Sequence, residues 1–216
     1  MTIASDNALL PARISARNIT GVDEVRQPVR RLRVLLLKPY QKVVAGIQSP
    51  PLGLLYLTSS IREKFNHNID IRVVDMKVAE MSDQDLVPTL QSFQPDVIGF
   101  SALNYEARAS YNIARTAKAL DPAVITVMGG PFALNNAATV FEESSIDWVF
   151  EGPADHTFPE ALFRLACDVE QGTDIPGFSR RMPDGSLYFS KTQDFIADID
   201  TLPMPAWDIV DFDLYA

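Results

Sequence analysis

Residues 96–103 read Asp96-Val97-Ile98-Gly99-Phe100-Ser101-Ala102-Leu103, a short apolar run that stops on a hydroxyl and gives way to polar sequence. Four more such runs follow the same plan: Leu32–Leu37 (LRVLLL), Ile69–Val74 (IDIRVV), Val124–Met128 (VITVM) and Asp147–Phe150 (DWVF). Brief, rich in Val, Ile and Leu, they read as strands covered on both faces of a parallel sheet. The segments between them step by three or four. Leu54, Leu57, Ile61 and Phe65 do so after Pro50-Pro51, a pair suited to a helix start. Ser82 with Asp85 in the first turn predicts a second helix. Ala109, Ile113, Ala117 and Leu120 make a third, about 135–143 a shorter fourth, and Phe158, Leu162, Leu165 and Val169 a fifth that closes at Gly172.

Five strands alternating with five helices predict an α/β fold, a doubly wound parallel sheet with right-handed crossovers. Size and count favour the flavodoxin-like order 2-1-3-4-5, whose switch point lies between the first and third strands. Residues 1–31 are expected to be an N-terminal arm and residues 32–173 the α/β domain. Residues 174–216 are expected to hold a hairpin, with Phe178–Arg181 and Leu187–Ser190 around Pro183-Asp184-Gly185, and then a linker. The stretch from Lys191 onward lacks a helical stripe and is acidic, which suits a linker.

Composition narrows the function. Hydrophobic residues make up 47% and charged residues 22%, as in a globular chain, and the net charge is -9. That balance argues against nucleic acid, where affinity comes from clustered positive charge. The one basic stretch, Arg13 to Arg33, reads as a solvated arm. No apolar run reaches the ~20 residues that cross a bilayer, and no secretory signal precedes the domain, so a cytoplasmic protein with no membrane partner is expected. The single cysteine, Cys167, excludes an internal disulfide framework.

In this fold the ligand sits beyond the carboxyl ends of the strands, so the loops carry the function. Lys38-Pro39-Tyr40-Gln41 after the first strand lacks the glycine-rich turn a dinucleotide needs. Ser49 is the only serine or threonine hydroxyl between the first strand and the first helix, against a flavodoxin-type phosphate loop. Lys38 and Ser101 occupy the places where a phospho-acceptor receiver carries acidic residues. The loop from Lys38 to Pro50 is long where ~2–6 residues are usual, which suggests a broad ligand or a lid. Ser101 at the end of the central strand can offer a hydroxyl to a buried ring nitrogen, and Gly129-Gly130 lets a ligand lie on bare backbone.

Ser101-Ala102-Leu103 and Gly129-Gly130-Pro131 together resemble the cobalamin-binding domain, in which a Ser-x-Leu and a Gly-Gly receive the nucleotide tail. The family's Asp-x-His-x-x-Gly element reads Gln41-Lys42-Val43-Val44-Ala45-Gly46 here, so only Gly46 matches and no histidine is placed to ligate cobalt. His67 and His156 read as ordinary surface residues. The chain looks like the N-terminal part of cobalamin-dependent radical S-adenosylmethionine enzymes, which lack that histidine. The likeness runs through Pro50-Pro51-Leu52-Gly53-Leu54, Glu151-Gly152, Ile175-Pro176-Gly177 and Leu202-Pro203-Met204-Pro205-Ala206-Trp207-Asp208.

The resemblance implies a metal-binding B12 protein, the cofactor held base-off without a lower histidine and with no metal-ligating residue from this chain, in a methyltransferase. Ser101 would hydrogen-bond the base and Leu103 pack on it. Gly129, Gly130 and Pro131 would admit the nucleotide loop, and a branched side chain at Gly130 would fill that channel. Tyr40, Gln41, Val43, Val44 and Gly46 would lie under the corrin, and Ala102, Asn104, Tyr105, Phe132, Glu151 and Gly152 at its rim. S-adenosylmethionine, the [4Fe–4S] cluster and the small-molecule substrate would belong to a radical SAM barrel domain, whose CxxxCxxC motif is not in this sequence. The chain is thus expected to be an excised domain or a naturally short protein, not catalytic alone. A corrinoid carrier or sensor, or a docking module using Trp207 and Phe212, is the alternative, and a flavin or nucleotide binder is a third.

Overall fold

All five expected strands form, each beginning one residue after the start of its apolar run. A computed structural model describes residues 12–14, 27–40 and 49–215, the first three by backbone alone. The central strands are β2 (Arg33–Lys38), β3 (Asp70–Asp75), β4 (Val97–Ser101), β5 (Ile125–Gly129) and β6 (Trp148–Phe150). The residue left behind at two starts serves the neighbouring strand. Asp96 Oδ2 accepts from the Arg33 amide at 2.8 Å, and Asp147 Oδ2 from the Thr126 amide at 2.8 Å. These carboxylates satisfy backbone donors at the sheet's N-terminal edge.

The sheet runs β3-β2-β4-β5-β6, all parallel, which is the expected order 2-1-3-4-5. It continues into β7 (Phe178–Arg181), antiparallel to β6, and β8 (Leu187–Tyr188). The turn between them puts Gly185 at φ 85, and Asp184 Oδ1 accepts from the Ser186 amide. Phe178 pairs with Phe150 across the ladder, with ring centroids 5.0 Å apart. A three-residue strand β1 (Ala12–Ile14) pairs in parallel with β9 (Thr192–Asp194), in a separate two-stranded sheet.

Helices α1 (Leu52–Lys64) and α5 (Thr157–Ala166) pack together on one face; α2 (Val87–Phe93), α3 (Ala107–Leu120) and α4 (Ala137–Val140) lie on the other. The α2 helix starts later than expected. Ser82 and Asp85 bond each other in a preceding turn, at 2.6 Å between side chains, and Pro88 sits in the helix's first turn. The α5 helix stops short of Gly172 because Asp168 turns to φ 54. Arg164 on α5 is 3% exposed and anchors this end through Glu160 at 2.9 Å and both oxygens of Asp174 at 2.7 Å.

The C-terminal segment, where a linker is expected, lies along α1. Ala206 is 3% exposed, and its amide donates to the Leu55 carbonyl at 3.2 Å. Arg62 Nη1 reaches both oxygens of Asp208 at 2.9 and 3.0 Å. The Tyr215 hydroxyl donates to Asp75 Oδ2 at 3.2 Å, beside Lys38 Nζ at 3.0 Å from the same oxygen. Burial and the Asp75 charge push the Tyr215 phenol up to about 12.

Candidate functional site

Successive residues of a strand face opposite ways, so β4 sends Ile98 and Phe100 into the α2–α3 core and turns Gly99 and Ser101 toward α1 and α5. The register sets Ser101 directly opposite Gly129 of β5. Between these strand ends and the two helices lies a cleft of about 190 Å³. Its openness comes from missing side chains. Five of the eight glycines among the described residues border it: Gly53, Gly99, Gly129, Gly130 and Gly152. Its apolar walls are Leu36, Leu54, Leu57, Val127, Phe150 and Phe158. Among the described residues, Ser101 and Asp155 are the polar side chains that line it.

The glycines are not equivalent. A Cβ on Gly129 would meet only the Phe100 carbonyl, at an ordinary 3.7 Å, and one on Gly53 or Gly152 would meet nothing within 4 Å. On Gly99 it would press Leu36 Cδ2 at 2.9 Å and approach Phe158 Cζ at 3.9 Å, which marks the floor. Gly130 has φ 80, and a Cβ there would strike the Ala102 backbone nitrogen at 2.7 Å. A side chain at Gly130 therefore breaks the turn before it fills any channel, which corrects the expectation for a branched residue at that position.

The loops after β4 and β5 are stitched together. The Ala102 amide donates to the Gly129 carbonyl at 3.2 Å, and the Phe132 amide to the Ala102 carbonyl at 2.9 Å. Of the expected residues, Ser101, Gly129, Gly130 and Gly152 thus meet at one cleft. Ala102 is fully buried in the opposite core. Leu103 is 38% exposed at the start of a 3₁₀ turn over Asn104–Glu106, its amide held by Glu106 Oε2 at 2.8 Å. Asn104, Tyr105 and Pro131 are exposed. Phe132 is half-buried edge-on to Tyr111, with centroids 6.3 Å apart. Burial pushes the Glu151 carboxyl up, against hydrogen bonds from Ser179 and the Ala137 and Asn136 amides. Gln41, Val43, Val44 and Gly46 lie outside the described residues.

Tyr40 faces a separate polar groove of about 650 Å³ with Asp83, Arg108 and Asn112, on the α3 side of the switch point. Asp155 borders both the glycine cleft and a second groove that holds Ser60, Lys64 and His156, and burial pushes its carboxyl up. Among the described residues, no three His, Cys, Asp or Glu side chains are grouped to hold a metal ion. Nor is any described helix long and apolar enough to cross a membrane.

Sequence reading missed Gly53, Gly99, Asp155 and the apolar walls. A glycine inside an apolar strand was the available signal for Gly99, since such a residue marks a close approach.

Comparison with known proteins supplies the context for this cleft. A family description, the B12 binding domain, matches residues 42–162. An uncharacterized methyltransferase, PH0819 of Pyrococcus horikoshii, is 30% identical over 186 residues, covering 84% of this chain and 39% of that protein. The anaerobic magnesium-protoporphyrin IX monomethyl ester cyclase of Rubrivivax gelatinosus is 24% identical over 194 residues, covering 85% of this chain and 34% of that one. The chain therefore spans well under half the length of these curated relatives. Among solved structures, the cobalamin-dependent S-adenosylmethionine radical enzyme OxsB with aqua-cobalamin superposes with a TM-score of 0.69 at 17% identity, over 83% of this chain and 24% of that one. The radical S-adenosylmethionine methyltransferase TsrM from Kitasatospora setae, with cobalamin and a [4Fe-4S] cluster bound, gives 0.62 at 19%, over 81% and 31%.

Proposed function

The chain belongs to the B12-binding domain family, and from that premise we propose that it holds cobalamin base-off and His-off, with the nucleotide tail in the glycine cleft. The observation that carries this reading is the convergence of five glycines on one cleft at the carboxyl ends of β4, β5 and β6. A cleft of about 190 Å³ is below the ~300–1,000 Å³ of whole-ligand pockets, so it suits one ring system of a larger molecule. Ser101 donates its hydroxyl to the base nitrogen. Gly129 and Gly130 let the tail lie against backbone, and Leu54, Phe150 and Phe158 exclude water from it. Val43 has no lone pair to offer cobalt, which suits a His-off state.

When bound, the cofactor supplies a transferable methyl group, and the protein supplies position and a dry seat. The partner is a radical SAM barrel domain carrying the cluster, S-adenosylmethionine and the small-molecule substrate. Cys167 alone cannot ligate three irons. The whole enzyme is a methyltransferase, and a single cysteine suits the reducing cytoplasm. Residues 32–173 are the cofactor domain, and 174–216 lead toward the barrel. A docking module remains a second reading because Met204 and Phe212 are 78% and 56% exposed on the C-terminal segment.

The test mixes the protein with hydroxocobalamin, desalts it and records the visible spectrum. Retained corrinoid with a base-off band is expected. Gly129→Leu should lose it with an unchanged circular dichroism spectrum. A wild-type protein that retains none, or a variant that retains as much, overturns the reading.

A further inference from the structure

We infer that the glycine cleft selects corrinoids by the chemistry of their lower base, taking a benzimidazole in preference to a purine. The inference rests on the proposed seat of the nucleotide tail and goes on to say which tail fits. A benzimidazole released from cobalt exposes one acceptor nitrogen, and its remaining surface is a carbocycle with methyl groups. The cleft offers the matching complement. Ser101 at the strand end carries one rotatable hydroxyl. The floor at Gly99 is flanked by Leu36 and Phe158, and Val127 and Phe150 continue the wall. These four walls are 1–4% exposed and carry no hydrogen-bonding atom in their side chains: Leu36 1%, Phe158 2%, Phe150 3%, Val127 4%.

An adenine in the same place brings an exocyclic amine and additional ring nitrogens to those walls. A polar group buried without a partner loses its hydration and gains nothing in return. Asp155 is the remaining polar side chain on the cleft among the described residues. It also borders the neighbouring groove, so it stands between the two while the floor stays apolar.

The experiment measures binding of cobalamin, adeninylcobamide and base-free cobinamide by equilibrium dialysis. Cobalamin should bind roughly ten- to a hundredfold tighter than adeninylcobamide, and cobinamide should bind more weakly than cobalamin. Val127→Thr, which keeps the shape and adds a hydroxyl to the wall, should narrow the gap between the two complete corrinoids. Equal binding of cobalamin and adeninylcobamide, both well above cobinamide, overturns the base preference and leaves the cleft reading intact. That outcome would put the purine amine on Asp155. Cobalamin binding no better than cobinamide overturns the cleft reading and the preference with it. An undiminished preference in Val127→Thr shows that the walls are not its source.

Discussion

The two faces of the sheet are built from the same strands and finish differently. On the α2–α3–α4 face, Leu35, Leu37, Ile98, Phe100 and Met128 are filled over by Ile113, Ala114 and Val140, and all are buried. On the α1–α5 face, Leu36 and Val127 pack well in mid-strand, but Gly99 sits in register between them and the next row out is Ser101 and Gly129. One face spends its side chains on cohesion up to the strand ends. The other withholds them there, and a cleft results. A single strand, β4, does both by alternation.

The contrast is open to attack by mutation. The largest loss should come from the filled face, where Ile113→Ala is expected to cost about 2–5 kcal/mol in chemical denaturation. A value near zero would mean that this core is loosely packed. Next is Arg164→Met, at about 3 kcal/mol, because Glu160 keeps Lys64 at 2.8 Å but loses Arg164 at 2.9 Å in a buried setting. Gly99→Ala should cost about 1 kcal/mol, since the new methyl displaces only the tip of Leu36, which has the cleft beside it. That variant should also weaken corrinoid retention.

Asp174→Asn should have a smaller effect that depends on pH. Hydrogen bonds from Arg164 hold the Asp174 carboxyl below its ordinary 3.8. Its contribution is therefore complete above that value and disappears as pH falls through the lower folded one. With its side chain 47% exposed, the contribution is below about 1 kcal/mol at pH 7. The wild-type and variant stability profiles should differ at neutral pH and converge toward pH 2. The smallest expected change is the stability of Gly129→Leu, within about 0.5 kcal/mol, because its Cβ meets only the Phe100 carbonyl at an ordinary 3.7 Å and Gly129 borders the cleft. A large loss there would show that the cleft is part of the core.

Much of this was legible in the residues. The β4 run is followed at once by Ser101 and the β5 run by Gly129, and register brings them face to face once the strand order is known. What could not be read was which side of each strand a neighbour would cover. Leu103 looked like a wall of the site by its place after Ser101, yet the 3₁₀ turn at Asn104 swings it out to solvent. Gly130 looked like a ligand contact, and its φ of 80 shows that the backbone itself needs it. The C-terminal segment was opaque for another reason. Its ties, Arg62 to Asp208 and Asp75 to Tyr215, join residues far apart in sequence and leave no local period to detect.

The antiparallel addition of β7 bears on how the gene should be shortened. Trp148, Val149 and Phe150 of β6 are all buried, and Phe178 closes over two of their rings. Cutting the chain at residue 173, where the helical pattern ends, would strip that cover and leave three apolar residues on a bare parallel edge, an invitation to fibrillar pairing. Retaining the hairpin instead ends this side of the sheet on β8, only two residues long and too brief to recruit another chain. A minimal expression clone should therefore run past Tyr188, and shorter ones should collect in inclusion bodies.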